Sequence, residues 1–291
     1  MIELEAKFRV VTPLFMSGSD KFKSELRVPS IKGVMRFWWR ALALGRLSSV
    51  EKVKEDESRI FGSAGSDFGQ AKVHLRLKLP ENVGQYKDPI LKYADGRPIG
   101  PSARYLGYGV VESVPSRKRN TKEGQILRSC LNYPFDGTLN LLFRNGTRSD
   151  DIKSVESALI AMSLFGSLGS KSRKAYGSFN LVELKHEEEL LFRMPRDVED
   201  LRLKIRSFFK NFNITAYSGL PPYTAYSDLT RVDVVETGSD PLRLLNTVGE
   251  AMQMYRSWGR NGKVNDKNSE KNFKDDHDLA ADAIKTRVST H

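Results

Sequence analysis

Two segments of the chain alternate apolar and polar residues over a length typical of a β-strand. In the first, Leu4, Ala6, Phe8 and Val10 share one face and charged residues occupy the other, until a proline ends the run. The second segment, QAKVHLRLKL at 70–79, repeats the pattern with a basic outer face. Because side chains of a strand alternate between its two faces, this period of two indicates half-buried strands.

The order of elements along the first part of the chain predicts the fold class. Further strands are expected at 136–146 and 178–185, and helices at 30–47 and 149–166, where Gly166 provides a C-terminal stop. The resulting order, β-α-β…β-α-β, is the split βαβ or ferredoxin-like plan, which many RNA-binding domains share. The fold class is therefore α+β.

The length of 291 residues suits two domains. We expect an N-terminal ferredoxin-like domain at 1–188, with a long irregular insertion at about 80–125 that contains the basic run PSRKRNTKEG. A shift in composition after residue 187 indicates a domain boundary, and we assign 189–291 to a second domain whose pattern gives only weak support for a degenerate ferredoxin-like half. Its expected elements are a helix at 198–212, a strand at 226–236, a helix at 241–258 and a mobile loop at about 259–276.

The charge balance points to a polyanionic partner. With 47 basic and 36 acidic residues, the formal net charge is +11, which favours nucleic acid or an acidic membrane surface. An inert, solvated basic surface is the alternative. A single cysteine, Cys130, excludes an internal disulfide and a thiolate metal cluster, and it suits a reducing compartment. Since no apolar run reaches about 18 residues, we expect a cytoplasmic protein without membrane association.

The helix SIKGVMRFWWRALALGRL combines two adjacent tryptophans with a ladder of cations. Lys32, Arg36 and Arg40 are spaced i, i+4, i+8 and form one stripe. At 100° per residue, the neighbouring buried stripe consists of Ile31, Met35, Trp38 and Leu42. Trp39 falls between the two stripes, where a half-exposed indole can stack on a base. Alternatively, Trp39 covers a loop and the cations pair with acidic residues elsewhere.

A second set of cations lies in a glycine-rich loop at 166–177. Gly166, Gly169 and Gly177 surround Lys171, Arg173 and Lys174 in GSLGSKSRKAYG. Glycines allow the backbone to approach a ligand closely, and cations neutralise phosphates. The spacing differs from that of a Walker A loop. The loop therefore predicts RNA binding, with an ordinary glycine-rich connection as the alternative.

The sequence offers little support for catalysis. Its four histidines have no metal-ligand spacing, and DDHD at 275–278 is more typical of a helix N-terminus than of a metal site. We predict no catalytic residue, no cofactor and no metal. Asp20, in the loop before the helix, is the one aspartate that we would test.

The segments ELRVPSIKGVMRFWWRAL and FGSLGSKSRKAYGSF together resemble the RAMP superfamily of CRISPR proteins. Within it, the similarity is to the first-named subunit of the Cmr (type III-B) RNA-targeting effector complex. The resemblance implies two packed ferredoxin-like domains. It also implies a non-catalytic, RNA-binding subunit at one end of a ribonucleoprotein used in antiviral defence, near the 3′ end of the guide. The expected partners are single-stranded guide or target RNA and the other Cmr subunits.

Carried over by motif, the residues that face RNA would be Lys32, Arg36, Trp39 and Arg40 on the helix, with Lys171, Arg173 and Lys174 in the loop. The main alternative is a RAMP-type RNA endonuclease that uses a loop aspartate or histidine, or a metal held at 275–278. A nucleotide-binding enzyme that uses the glycine loop and a basic membrane-surface protein are weaker alternatives.

Overall fold

The computed structural model describes residues 1–20, 22–47, 49–63, 69–211, 226, 230–256, 262–275, 278–279 and 282. The chain divides into two compact units. Unit 1 comprises residues 1–87 and 128–237, and unit 2 comprises residues 88–127 and 238–291. In chain order the elements are β1 (Ile2–Val10), α1 (Val28–Leu47), α2 (Val50–Phe61), β2 (Val73–Lys78), α3 (Pro101–Leu106), β3 (Phe135–Phe143), α4 (Ser149–Phe165), β4 (Phe179–His186), β5 (Glu189–Arg193), α5 (Val198–Asn211), α6 (Pro241–Arg256), β6 (Lys263–Val264) and β7 (Lys267–Asn268).

Unit 1 contains a five-stranded sheet in the order β2-β3-β1-β4-β5, in which all neighbours are antiparallel. β1 lies at the centre, with Val10 opposite Phe135 of β3 on one side and Phe179 of β4 on the other. Its inward side chains, Leu4 through Val10, are buried as the alternation predicts. The Phe8 and Phe179 rings stack at 4.9 Å across the strand pair.

Helices cover the apolar face of this sheet. α1 and α4 pack against one another, and α2 packs against α1. Ile31, Met35 and Trp39 of α1 join Val155 and Leu159 of α4 in one core with the strands. Because each fully buried side chain of this size contributes about 1.5–3 kcal/mol, this core holds the helices on the sheet.

Unit 2 is built on the packing of α3 against α6. Asn246 of α6 accepts hydrogen bonds from the backbone N–H groups of Ser102 and Ala103, at 3.1 and 3.2 Å, and so satisfies free donors at the first turn of α3. β6 and β7 form a short antiparallel hairpin in the same unit.

The predicted mixed α+β class is confirmed, and unit 1 has the predicted β-α-β…β-α-β order with α2, β5 and α5 added. α1 begins at Val28, two residues before the predicted start at residue 30, and the Ile31 N–H already donates to the Arg27 carbonyl at 3.0 Å. No strand is assigned in the described part of 226–236. The predicted core position Phe212 lies outside the described residues, as do 259–261 and 276 of the predicted loop.

The compact units differ from the predicted domains. The boundary at 188/189 falls inside the β4–β5 hairpin, where His186 pairs with Glu189. Most of the irregular insertion belongs to unit 2, with the segment after residue 237. This grouping depends on long-range contacts such as those of Asn246 with α3, which a local composition pattern does not contain.

Candidate nucleic-acid interface

The cations of α1 face a carboxylate from α2. Arg36 Nε and Arg40 Nη1 both donate to Glu57 Oε1, each at 2.6 Å. The Glu57 side chain is only 10% exposed, whereas those of Arg36 and Arg40 are 37% and 45% exposed. Two guanidinium groups therefore share one carboxylate, which leaves one net positive charge and several N–H donors directed to solvent.

Lys32 begins the same stripe one turn earlier and is half-buried. Burial lowers the pKa of Lys32, and the neighbouring Arg36 charge lowers it further. Desolvation and a like charge both disfavour the ammonium form. An approaching phosphate would oppose both effects, because its negative charge stabilises the ammonium form.

The predicted roles of the two tryptophans were wrong, because Trp39 is the core residue. Trp39 is 1% exposed, its Nε1 donates to Ser154 Oγ of α4 at 2.9 Å, and its ring meets Phe61 of α2 edge-on at 6.0 Å. A buried, hydrogen-bonded indole has no face to offer a base. The prediction failed because it did not include α2, which covers the side of α1 that carries Trp39.

Trp38 is the half-buried tryptophan, and it belongs to a second aromatic cluster. Its ring stacks on Tyr226 at 6.1 Å and lies 6.2 Å from Phe165. Phe208 of α5 belongs to the same cluster. Trp38 therefore serves packing between helices.

The glycines of the 166–177 loop are explained by close approaches within the chain. A methyl group at Gly166 would lie 2.7 Å from Trp38 Nε1, and one at Gly169 would lie 2.6 Å from the Phe15 carbonyl oxygen. At Gly177 it would clash with the Leu168 carbonyl oxygen. Gly169 and Gly177 also have positive φ, at 78° and 69°, where a side chain is strained. The alternative reading of a structural connection thus accounts for these glycines, and a ligand contact by their backbone stays a prediction.

The cations of the loop are held on a tight turn. Ser172–Lys174 form a single 3₁₀ turn flanked by Lys171 and Ala175, both in the left-handed region at φ 64° and 56°. Thr12 Oγ1 donates to the Ala175 carbonyl at 2.8 Å and accepts from the Ser178 N–H at 2.9 Å. Non-glycine residues at positive φ persist only where the surroundings fix them. This clamp presents Lys171, the exposed Arg173 and Lys174 in a defined arrangement.

An exposed aromatic lies on the segment that precedes α1. Phe22 is 77% exposed, on a hairpin whose base is formed by Ser17 opposite Ser24 and by the Glu25 N–H bonded to the Met16 carbonyl at 2.8 Å. Gln85 holds the Ser24 backbone through two hydrogen bonds, at 2.9 and 2.6 Å. The sequence analysis missed Phe22, although a phenylalanine between two lysines in a polar loop is a recognisable signal.

Asp20 shapes this hairpin. Its Oδ1 accepts the Phe22 N–H at 2.8 Å, and its carbonyl accepts the Lys23 N–H at 3.3 Å. An aspartate that bonds the backbone two residues ahead forms a turn. Asp20 therefore has a structural explanation, independent of any reaction.

The Phe22 hairpin and the glycine loop share one end of the sheet. β4 starts beside the end of β1, where Phe179 pairs with Val10. The Ser170 N–H donates to the Phe15 carbonyl at 2.8 Å, one residue before the base of the hairpin. This contact brings the exposed Phe22 hairpin next to the loop that carries Lys171, Arg173 and Lys174, at the end of the sheet where β1 ends and β4 begins.

The remaining candidates are not assembled into a site. Within the described ranges, no group of three His, Cys, Asp or Glu side chains can hold a metal ion, and residues 276–277 of DDHD lie outside those ranges. Burial raises the pKa of Cys130 to about 12, so its thiol is a poor nucleophile at neutral pH. Among the described helices, none is long and apolar enough to cross a membrane.

Comparison with known proteins places the chain in a family. A family model described as the RAMP superfamily matches residues 7–180, which include α1 and the glycine loop. The chain belongs to the RAMP superfamily. This RAMP protein is 29% identical over 188 residues to the CRISPR system Cmr subunit Cmr1-2 of Pyrococcus furiosus, covering 64% of this chain and 98% of that one. It is 30% identical over 167 residues to Cmr1-1 of the same organism, covering 56% of this chain and 42% of that one.

The fold agrees with these sequence similarities. A crystal structure of Cmr1 from Pyrococcus furiosus in its apo form matches with a TM-score of 0.59 at 19% identity, covering 87% of this chain and 72% of that one. The resemblance to the Cmr subunit inferred from the helix and loop motifs is therefore confirmed.

Proposed function

We propose that this RAMP protein is a non-catalytic subunit of a type III-B (Cmr) CRISPR ribonucleoprotein that binds single-stranded guide or target RNA. The observation that carries the proposal is the grouping of Lys171, Arg173 and Lys174 with the Phe22 hairpin at one end of the unit 1 sheet. The similarity to Cmr1-2 over nearly the whole length of that subunit supports the type of complex.

The proposed contacts divide by chemistry. The three loop cations, with Lys32, Arg36 and Arg40 of α1, neutralise phosphates, an interaction that is independent of sequence and sensitive to salt. Phe22 takes the stacking role that the sequence analysis gave to Trp39, because it presents an exposed ring beside cations. The glycines and Thr12 hold the loop in shape.

The non-catalytic role is part of this proposal. Cleavage of RNA by a RAMP endonuclease needs a general base or a metal near the phosphate, and the one loop aspartate that we would test already closes a turn. The proposal also includes docking to other Cmr subunits and a second ferredoxin-like domain, both of which the family resemblance implies.

A binding titration tests the proposal. Fluorescence anisotropy of a labelled single-stranded RNA of about 12 nucleotides, which spans one such site, is measured at several salt concentrations. We expect wild-type binding that weakens steeply with salt. The variant Lys171→Gln/Arg173→Gln/Lys174→Gln should bind more weakly, with a log–log salt slope smaller by about 2, at roughly 0.7 per lost phosphate contact.

The matched control is Lys52→Gln/Lys54→Gln/Lys153→Gln, which removes the same charge from exposed positions on α2 and α4 and should bind like wild type. If both variants lose the same RNA affinity, the loss comes from the lower net charge of the protein and not from contacts made by the glycine loop. The same samples, with and without magnesium, are run on a denaturing gel. If the wild-type protein cleaves the RNA and Asp20→Ala abolishes that cleavage, the protein is an endonuclease and the proposal is wrong.

A further inference from the structure

The basic run of the insertion forms a hairpin in unit 2, here called the basic hairpin (residues 112–125). Its base is closed by Glu112 N–H to the Gln125 carbonyl at 2.8 Å and by Gly124 N–H to the Glu112 carbonyl at 2.9 Å. Further out, Ser116 and Thr121 pair as a β-bridge, and Asn120 turns the chain at φ 51°. The tip is therefore a defined turn.

The acidic residues of the basic hairpin are already paired. Glu112, whose side chain is 7% exposed, accepts from Arg119 Nη2 at 3.0 Å and from Thr121 Oγ1 at 2.7 Å. Glu123 pairs at 3.0 Å with Arg104. No acidic residue lies between 113 and 122.

This arrangement leaves a concentrated positive charge at the tip. The side chains of Arg117, Lys118 and Lys122 are exposed, and within the described residues they make no ion pair. A flexible basic segment would spread like charges apart, whereas here Glu112 and the bridge hold them within one turn. The like charges repel one another in the free protein, and a polyanion bound at the tip would replace that repulsion with attraction.

Exposed tyrosines accompany the basic hairpin. Ser113 Oγ donates to the Arg104 carbonyl at 2.9 Å, which ties the hairpin to α3. Tyr105 of α3 is 39% exposed, and Tyr108, immediately after this helix, is 71% exposed. Cations interleaved with exposed aromatic rings are typical of single-stranded nucleic-acid binding, where phosphates meet the charges and bases stack on the rings.

We infer that the basic hairpin, with Tyr108, is a second contact for single-stranded RNA, located in unit 2. This inference rests on the proposed RNA-binding function and adds a site that neither the α1 stripe nor the glycine loop includes. An acidic protein surface would suit the charges alone, but it gives no role to the exposed Tyr108, which pairs with Val111 at the base of the hairpin.

The test compares Arg117→Gln/Lys118→Gln with Arg256→Gln/Lys263→Gln, which removes two exposed charges elsewhere in unit 2. Neither pair touches Glu112 or Arg119, so the hairpin base is intact in both. With a labelled single-stranded RNA of about 30 nucleotides, which is longer than one such site spans, we expect the hairpin variant to bind roughly five- to tenfold more weakly. Its salt slope should fall by about 1.4, for two lost phosphate contacts, while the control matches wild type.

A second pair, Lys118→Gln/Lys122→Gln, should reproduce the loss, and Tyr108→Ala should weaken binding without changing the salt slope. Wild-type affinity and slope in both hairpin pairs would overturn the inference, and this is also the result expected if the hairpin served an acidic protein. If only the glycine-loop variant binds RNA more weakly, the proposed function is supported and the second contact is excluded. Weakening by the hairpin variants alone would support this inference and remove the glycine loop from the proposed interface.

Discussion

Trp39 illustrates that neighbouring elements determine whether a side chain belongs to the core or to a binding surface. On a bare helix it falls beside the cationic stripe, and only the presence of α2 makes that side of α1 interior. Its indole N–H then finds Ser154 Oγ, which itself donates to the Asp151 carbonyl at 2.7 Å. Buried indoles keep a hydrogen-bond partner of this kind.

We expect Trp39→Ala to lower the free energy of unfolding by about 3–5 kcal/mol, as for other buried aromatic residues. Trp39→Phe should cost less, because it fills most of the space and loses mainly the hydrogen bond, at about 1–2 kcal/mol. Urea unfolding measures both. RNA affinity of the folded Trp39→Phe protein should match wild type. If the Trp39→Phe variant is stable but has lost RNA binding, Trp39 contacts RNA after all.

Phe22 is the residue on which the proposed base stacking depends. Since stacking on an aromatic side chain contributes about 1–3 kcal/mol per base, Phe22→Ala should weaken RNA binding about 5- to 150-fold, with an unchanged salt slope. Phe22→Trp should retain binding. Phe273→Ala, which removes another exposed ring, is the matched control. Equal affinities of the Phe22→Ala, Phe273→Ala and wild-type proteins would exclude stacking at Phe22.

At the scale of elements, α2 determines what the cations of α1 can do. Glu57 holds Arg36 and Arg40 together, so the same carboxylate stabilises the α1–α2 contact and competes with phosphate for both guanidinium groups. On the proposed function, RNA binding at this stripe would exchange a protein carboxylate for a phosphate.

Glu57→Gln tests this competition. We expect the free energy of unfolding to fall by about 1–2 kcal/mol, less than for a fully buried pair because both arginines are partly exposed. RNA affinity at low salt should rise about two- to fivefold, since two guanidinium groups become available. Glu55→Gln changes the same charge at an exposed position of α2 and is the control for both measurements. An equal gain in affinity in the two variants would show that Arg36 and Arg40 do not contact RNA.

The regular elements of unit 1 could be predicted because each has a local signal. Alternation identifies β1 and β2, and Gly166 ends α4 as expected, its N–H donating to the Met162 carbonyl at 2.9 Å. α2 also had a signal that the sequence analysis did not use: Ser49 caps its first turn, Gly62 follows its last residue at φ 80°, and Val53, Glu57, Ile60 and Phe61 share its buried face.

The candidate site was less predictable than the fold. The loop cations were identified from composition and spacing, but the reasons for the glycines are close approaches by Trp38, Phe15 and Leu168, which occur only in the folded chain. The direction that a tryptophan faces, and the pairing of Arg36 with Glu57, likewise depend on a neighbouring helix. Side-chain environments of this kind are tertiary properties, whereas strands and helices carry their pattern within the sequence.

At the scale of the whole molecule, both units contain exposed cations beside an exposed aromatic ring. Unit 1 has the glycine loop and Phe22, and unit 2 has the basic hairpin and Tyr108. In both units these cations lie on turns whose backbone is fixed by hydrogen bonds. Rigid presentation lowers the entropy lost on binding, which suits the proposed binding of RNA.

The most direct test of RNA binding at the end of the unit 1 sheet is ultraviolet cross-linking of the wild-type protein to single-stranded RNA, followed by mass spectrometry of the cross-linked peptides. We expect cross-linked peptides from 17–27, which carry Phe22, and from 170–178, which carry the loop cations. Cross-links confined to other surfaces, such as the exposed basic face of β2 at His74, Arg76 and Lys78, would contradict the proposed interface.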